Sequence, residues 1–343
     1  MTRARLAPEE GAPGRAAGLV RRVRRIELAA RRAVEDRLSG QYHSVFKGRG
    51  MEFAEVRPYA PGDEIRAVDW NVSARTGQLH VKRFVEEREL TVMVLCDASA
   101  SAELGSGART KAGLAAEIAA LLALSAVANG DRVGLVLFTD RVERFVPPRK
   151  GRRHALRIVS EILSFRPAGR RTAIGAALEF LRRALRRRTV AFVLSDFVEE
   201  GAAFERALRV AARTHEVVPV RLEDALDAAL PAAGLAWLED PETGAVLRAD
   251  LSDPGVRARF AEAARAEEEA LRRLFLGLDL DSVSVRADEA DPVKPLLAFF
   301  RARARRSSAR RDARPGPSRA GRPAPTPRSR APCSRGSSGP RSG

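Results

Sequence analysis

The chain has 343 residues, 45% of them apolar, enough for one large or two ordinary domains. Its two cysteines, Cys96 and Cys333, exclude a disulfide framework, and neither cysteine has zinc-ligand spacing. The formal net charge of +17 is local: residues 301–343 hold thirteen arginines against one aspartate, which leaves +5 for residues 1–300.

In chain order, residues 1–15 carry no periodic pattern and are expected to be disordered. From Ala16 to about Leu38, apolar residues such as Leu19, Val23, Ile26, Ala30 and Val34 recur at helical spacing among arginines. This predicts a basic amphipathic helix, either packed on the body or lying on a partner or membrane surface. Pro58, Pro61 and Gly62 punctuate the next stretch, so "YAPGDEIR" reads as a turn or the start of a short helix. "LHVKRFVEE" (79–87) alternates as a half-buried strand does. Arg57, Tyr59, Asp63, Asp69 and Trp70 in this segment are expected in a small layer on the sheet edge, with a partner surface as the alternative. Together, residues 16–89 read as an N-terminal helix and a small β-containing extension.

From Leu90 the elements alternate regularly. Strands are predicted over 90–96, 131–138, 189–195 and 216–222, with an edge piece over 142–148 ended by prolines. Helices are predicted over 109–128, 151–163, 172–188 and 201–215. A hairpin is expected over 234–250 around "DPETG", then a helix over 256–278, a short strand over 281–288 and a closing helix over 292–306. Continuous apolar, β-branched strands between helices predict a mainly parallel sheet covered on both faces, an α/β domain over 90–300. The Ala-rich run 112–130 is interrupted by Glu117 and falls short of a membrane span, so it reads as a core helix. The stretch 301–343 is built of Arg, Pro, Ser and Gly and is expected to be a disordered tail. No apolar leader region stands near the amino terminus, and a soluble cytoplasmic protein is expected.

"VLCDASAS" (94–101) carries the chemistry. A buried strand ends at Asp97, and Ser99 and Ser101 follow at alternate positions, three hard oxygen donors at the carboxyl end of a parallel strand. "RRTAIGAAL" (170–178) places Thr172 just before a helix, and "VAFVLSDF" (190–197) ends a second buried strand at Asp196. Two carboxylates and three hydroxyls from three loops form a donor set suited to Mg²⁺ or Mn²⁺. Taken singly, Thr172 also reads as an N-cap and Asp196 as a turn former. Cys96 reads as a core residue, and His43, His80, His154 and His215 lack metal-ligand spacing.

Asp97-x-Ser99-x-Ser101, Thr172 and Asp196 resemble the metal-ion-dependent adhesion site of von Willebrand factor A domains. The stretches 52–89, 130–163 and 296–306 resemble the bacterial family called domain of unknown function 58, over roughly residues 40–305. This resemblance implies a Rossmann-like fold and Mg²⁺ or Mn²⁺ at residues 97, 99, 101, 172 and 196. It also implies a protein partner whose acidic side chain completes the metal shell, a MoxR-type AAA+ ATPase or its client. The sequence departs from the pattern at Arg170-Arg171, where the motif often has Gly-Gly.

Catalysis is disfavoured. There is no phosphate-binding G-x-x-x-x-G-K-[ST] loop, no nucleophile elbow, and a serine, Ser99, stands where a phosphoryl-transfer aspartate would need an acid two residues on. A metal-dependent phosphohydrolase is the enzymatic alternative. Nucleic-acid or membrane-surface binding through the tail is the third reading, with nucleic acid disfavoured as a main partner.

Overall fold

The computed structural model describes residues 12–34, 51–86, 89–107, 109–199 and 201–312. Helix α1 (Ala12–Ala33) forms because its apolar residues recur every four positions: Ile26, Ala30 and, just past its end, Val34 are buried in the main core, while the arginines between them face solvent. Buried Glu27 accepts a hydrogen bond from Arg152 Nε at 2.7 Å, fixing the helix on the body. Packing on the body, one of the two expectations for this basic helix, is what is observed.

Next, β1 (Met51–Pro58) pairs antiparallel with β2 (His80–Glu86), and α2 (Trp70–Thr76) lies between them. The sequence pattern shows β2 but neither β1 nor α2. Asp69 caps α2 by accepting from the N–H groups of Asn71 (3.0 Å) and Val72 (3.2 Å). Arg57 grips Asp63 through two hydrogen bonds of 2.8 and 2.7 Å. These two carboxylates therefore hold the unit's own turns. Val68 and Val81 are buried, yet neither joins either apolar core of the body.

The body is a six-stranded sheet. In chain order its elements are β3 (Thr91–Asp97), α3 (Lys111–Ala128), β4 (Arg132–Phe138), β5 (Val142–Arg149), α4 (Arg152–Ser164) and α5 (Ile174–Ala184). Then come β6 (Val190–Ser195), α6 (Ala202–Thr214), β7 (Glu216–Glu223), α7 (Ala225–Ala228), the hairpin β8 (Leu235–Glu239) and β9 (Val246–Asp250), and α8 (Pro254–Gly277). Last are β10 (Val283–Arg286) and α9 (Val293–Asp312). The sheet order is β10-β7-β6-β3-β4-β5, all parallel except β5, whose prolines sit on the antiparallel edge. This is the mainly parallel α/β architecture the sequence predicts.

Alternation along β3 explains the two layers. Val92, Val94 and Cys96 point to a core shared with α1, α3, α4 and α9, while Met93 and Leu95 point to one shared with α5, α6 and α8. Gly134 on β4 is required by this packing: a Cβ there would stand 2.6 Å from Met93 Sδ. Among the described residues one helix, α3, is long and apolar enough to cross a membrane, and 78% of it is buried inside the protein. His215 is buried without a side-chain partner among the described residues, and His154 bonds the Val133 carbonyl at 3.0 Å, so neither meets a metal-ligating group.

The closing helix, expected over 292–306, runs on to Asp312, into the stretch expected to be disordered. Residues 1–11 and 313–343, including Cys333 and most of the basic tail, lie outside the described residues, as do 35–50 with His43. Topologically, the chain leaves β3 toward β4 and β5 on one side, and leaves β6 toward β7 and β10 on the other. The neighbours β3 and β6 thus mark the switch point where open α/β sheets bind ligands at strand carboxyl ends.

If α1 is part of the core, Ile26→Ala lowers stability by about 2 kcal/mol in urea unfolding. An unchanged midpoint would mean that the helix contributes nothing to the fold.

Candidate metal centre

Asp97 is the last residue of β3 and lies at the switch point, 3% exposed. Its Oδ1 accepts the Ser99 N–H at 2.9 Å, which turns the chain so that Ser99 and Ser101 follow in a short 3-10 turn. Both serines are buried, with their Oγ atoms 3.0 Å apart. The turn is tied to the next loop by the Ala100 N–H, which donates to the Arg170 carbonyl at 2.9 Å.

The loop bearing Thr172 is held by the end of β4. Glu143 accepts from the N–H groups of Ala168 and Gly169, each at 2.8 Å, and Ala173 N–H donates to the Thr139 carbonyl at 2.8 Å. Any side chain at Gly169 would strike the Thr139 hydroxyl, so only glycine allows this approach. Thr172 Oγ1 consequently lies 3.3 Å from Asp97 Oδ2. It is not an N-cap: α5 begins after Ala173 with no side-chain cap of its own, and Glu199 instead accepts the Ile174 and Gly175 N–H groups.

From β6, Ser195 Oγ donates to Asp97 Oδ2 at 2.6 Å and accepts the Phe197 N–H at 3.1 Å. Phe197 follows with φ 62°, a left-handed conformation at which a phenylalanine is strained. Asp196 reaches the same edge but is turned to Lys111, whose Nζ donates to Asp196 Oδ2 at 3.1 Å and to Asp227 at 2.9 Å. Lys111 is 3% exposed. Burial alone would lower its pKa, but Asp196 and Asp227 outweigh that and hold the ammonium above its ordinary value.

The structure thus brings Asp97, Ser99, Ser101 and Thr172 together and sets Asp196 beside them. Sequence reasoning misses three contributors. Ser195 is legible as the residue before Asp196; Lys111 and Glu242 have no local signal. Glu242, at the tip of the β8–β9 hairpin, accepts from Thr172 Oγ1 at 2.6 Å and from Thr172 N–H at 3.3 Å. Arg170, where the sequence departs from the pattern, turns to this hairpin, donating from Nη2 to the Pro241 carbonyl at 2.9 Å.

Do these residues fit a hard cation? Among the described residues no three His, Cys, Asp or Glu side chains form a metal cluster, so a soft or imidazole-bound metal has no site here. The donors are instead a carboxylate and hydroxyls, which suit Mg²⁺. Asp97 accepts three hydrogen bonds but pairs with no lysine, arginine or histidine of the described residues. Burial, then the nearby Asp196 charge, pushes its pKa up to about 6. The Thr172 hydroxyl has one proton yet faces two carboxylates, those of Asp97 and Glu242. Both observations describe negative charge in want of a cation, and the residues fit the ion.

A family model described as "Protein of unknown function DUF58" matches residues 55–270, a span that contains every residue of this site. The chain belongs to the DUF58 family. Among its relatives are uncharacterized proteins of Mycobacterium tuberculosis and Mycobacterium bovis, each 34% identical over 285 residues, 82% of this chain and 89% of the relative. Solved structures similar to this DUF58 member include a conserved hypothetical protein BatB from Bacteroides thetaiotaomicron. That match has 17% identity and a TM-score of 0.41, over 63% of this chain and 99% of the other. Another is a von Willebrand factor type A protein from Catenulispora acidiphila, with 15% identity and a TM-score of 0.35, over 65% of this chain and 43% of the other.

The raised pKa of Asp97 has a definite sign. The folded carboxyl titrates near 6 against an ordinary value of 3.8. Without a cation, then, the contribution of Asp97 to stability is greatest below the unfolded value and is lost as pH rises through 6, by about 3 kcal/mol in all. Asp97→Asn should flatten this profile and stabilise the ion-free protein at pH 7.5, as read by urea unfolding from pH 4 to 8. An unchanged slope would show that Asp97 is not the buried charge. Lys111→Met strips a buried pair and is expected to destabilise by about 3 kcal/mol in the same assay, unless Asp196→Asn accompanies it.

Proposed function

We propose that this DUF58 protein is a non-catalytic protein-binding module that engages its partner through a divalent cation. Asp97, Ser99, Ser101 and Thr172 would hold Mg²⁺ or Mn²⁺, and Asp196, paired with Lys111, would add negative charge behind them. When bound, the ion supplies an electrophilic position that an acidic side chain of a partner can occupy. What carries the reading is the buried Asp97 carboxylate, which is surrounded by hydroxyls and has no cationic partner among the described residues.

The chain's own residues account for the rest of the design. Ser195 and the Ser99 N–H orient the Asp97 carboxylate, and Glu143 and Thr139 hold the 168–173 loop so that Thr172 faces it. Lys111 pairs with Asp196 and not with Asp97. The hydroxyls of Ser195 and Thr172 are spent as orienting donors to the Asp97 and Glu242 carboxylates, an arrangement that favours binding over hydrolysis. The family resemblance supports a MoxR-type AAA+ ATPase, or a client of one, as the partner, in the cytoplasm.

Calorimetry with Mg²⁺ on the full chain tests the reading. Wild-type protein should bind one ion, and Asp97→Ala should lose at least tenfold in affinity while keeping its circular dichroism. Equal heats for the two proteins would sink the cation site.

A further inference from the structure

We propose that Glu242 is an internal ligand of this cation site, so that the β8–β9 hairpin is a latch occupying the position an acidic partner side chain would take. The inference rests on the cation reading above and adds its regulation.

The hairpin is built as a latch would be. Across 234–250 no residue is buried, and none joins either apolar core. Leu235 and Trp237 are 65% and 71% exposed, on a two-stranded ribbon that is marginal by itself. Its base closes on itself, with Leu251 N–H donating to the Gly234 carbonyl at 2.7 Å. Apart from those of Leu251 and Ser252 at its own base, its hydrogen bonds to the rest of the protein, among the described residues, come from two side chains and one amide of the 170–172 loop: Arg170 to the Pro241 carbonyl, and Thr172 to Glu242. Arg170 Nη2 also lies 3.9 Å from Glu239. Away from its base the ribbon is therefore fastened at its tip, on the loop that supplies Thr172. So slight an attachment belongs to the low-stability end of a structure, where opening needs little free energy.

Electrostatics gives the latch its dependence on the ion. With one hydroxyl proton between Asp97 and Glu242, the two carboxylates repel when no cation is present. A bound cation turns that repulsion into attraction for Glu242, and equally for any other carboxylate offered from outside. Partner and hairpin therefore compete for one position, and a partner must displace Glu242.

The test uses the full chain carrying Trp70→Phe, which leaves Trp237 on the hairpin as the one indole of the chain. Mg²⁺ alone should raise Trp237 anisotropy and slow amide exchange across 235–250. With Glu242→Ala added, Mg²⁺ should still bind by calorimetry, but more weakly, and neither hairpin signal should change. In Mg²⁺, a soluble glutamate-rich peptide should bind the Glu242→Ala protein about tenfold more tightly than the parent, and it should not bind when Asp97→Ala is also present. The latch is overturned if Mg²⁺ binds both proteins equally and hairpin exchange ignores the ion, or if the peptide gains nothing from Glu242→Ala. Absence of Mg²⁺ binding by the parent overturns the cation site itself, and the latch with it, so the two failures are read apart.

Discussion

At the junction of β3 and β6 a carboxylate is held out of water by two buried strands and stabilised by hydroxyl and amide donors alone. Removing a charge from water without a counter-charge is among the most unfavourable things a fold can do, and it persists here because the surrounding elements over-determine it. Asp97 cannot swing away: Ser99 N–H holds one oxygen, and Ser195 and Thr172 hold the other. Each of those donors is itself fixed by the end of a different strand. The sheet order sets β3 beside β6, the glycine at 169 lets the Thr172 loop approach Thr139, and the strained Phe197 and the cap that Glu199 places on α5 follow Ser195 at the end of β6.

The two aspartates of the site show how differently a fold can treat like groups. Asp196 is given a buried ammonium, Lys111, whose other partner Asp227 lies at the start of α7. Asp97 is given hydroxyls instead. Among the described residues, one carboxylate is paired with a cation and the other is not. A site in which both were paired would have no affinity left for an ion, and one in which neither was paired would destabilise the fold twice over. The proposal of a cation-dependent interaction rests on this division, with Glu242 a further carboxylate beside Thr172.

The N-terminal unit shows the complementary case, charged residues that look functional and are structural. Arg57, Asp63 and Asp69 stand in a segment rich in aromatic and charged residues, yet all three are used internally. Arg57 and Asp63 form a bidentate pair across a turn, and Asp69 caps a helix. Such carboxylates are held below their ordinary pKa: Asp63 first by its hydrogen bond from Arg57, and Asp69 by the Val72 and Asn71 amides, which outweigh the opposing effect of burial. Both are satisfied charges, and their lowered pKa values stand opposite the raised one of Asp97.

Much of this was legible in the amino-acid order, because it is local. Apolar β-branched runs declared the buried strands, helical periodicity declared the flanking layers, and their alternation fixed a parallel sheet. From there, the ends of two strands pointed to Asp97, Ser99, Ser101 and Asp196, and a loop before a helix pointed to Thr172. What failed locally were β1, whose pairing partner β2 lies outside any short window, and α2, which is too short to show a helical period although Asp69 caps it from the adjacent position. The remaining members of the site were beyond reach for the same reason on a larger scale. Lys111 meets Asp196 across 85 residues, and Glu242 meets Thr172 across 70. A lysine at a helix start and a glutamate in a turn look like ordinary solvated charges until the chain closes. The sequence alone determined which strands end in oxygen donors. Only the tertiary structure decided which of those oxygens would be neutralised, because burial and counter-charge are properties of the space around a group and not of its neighbours in the chain.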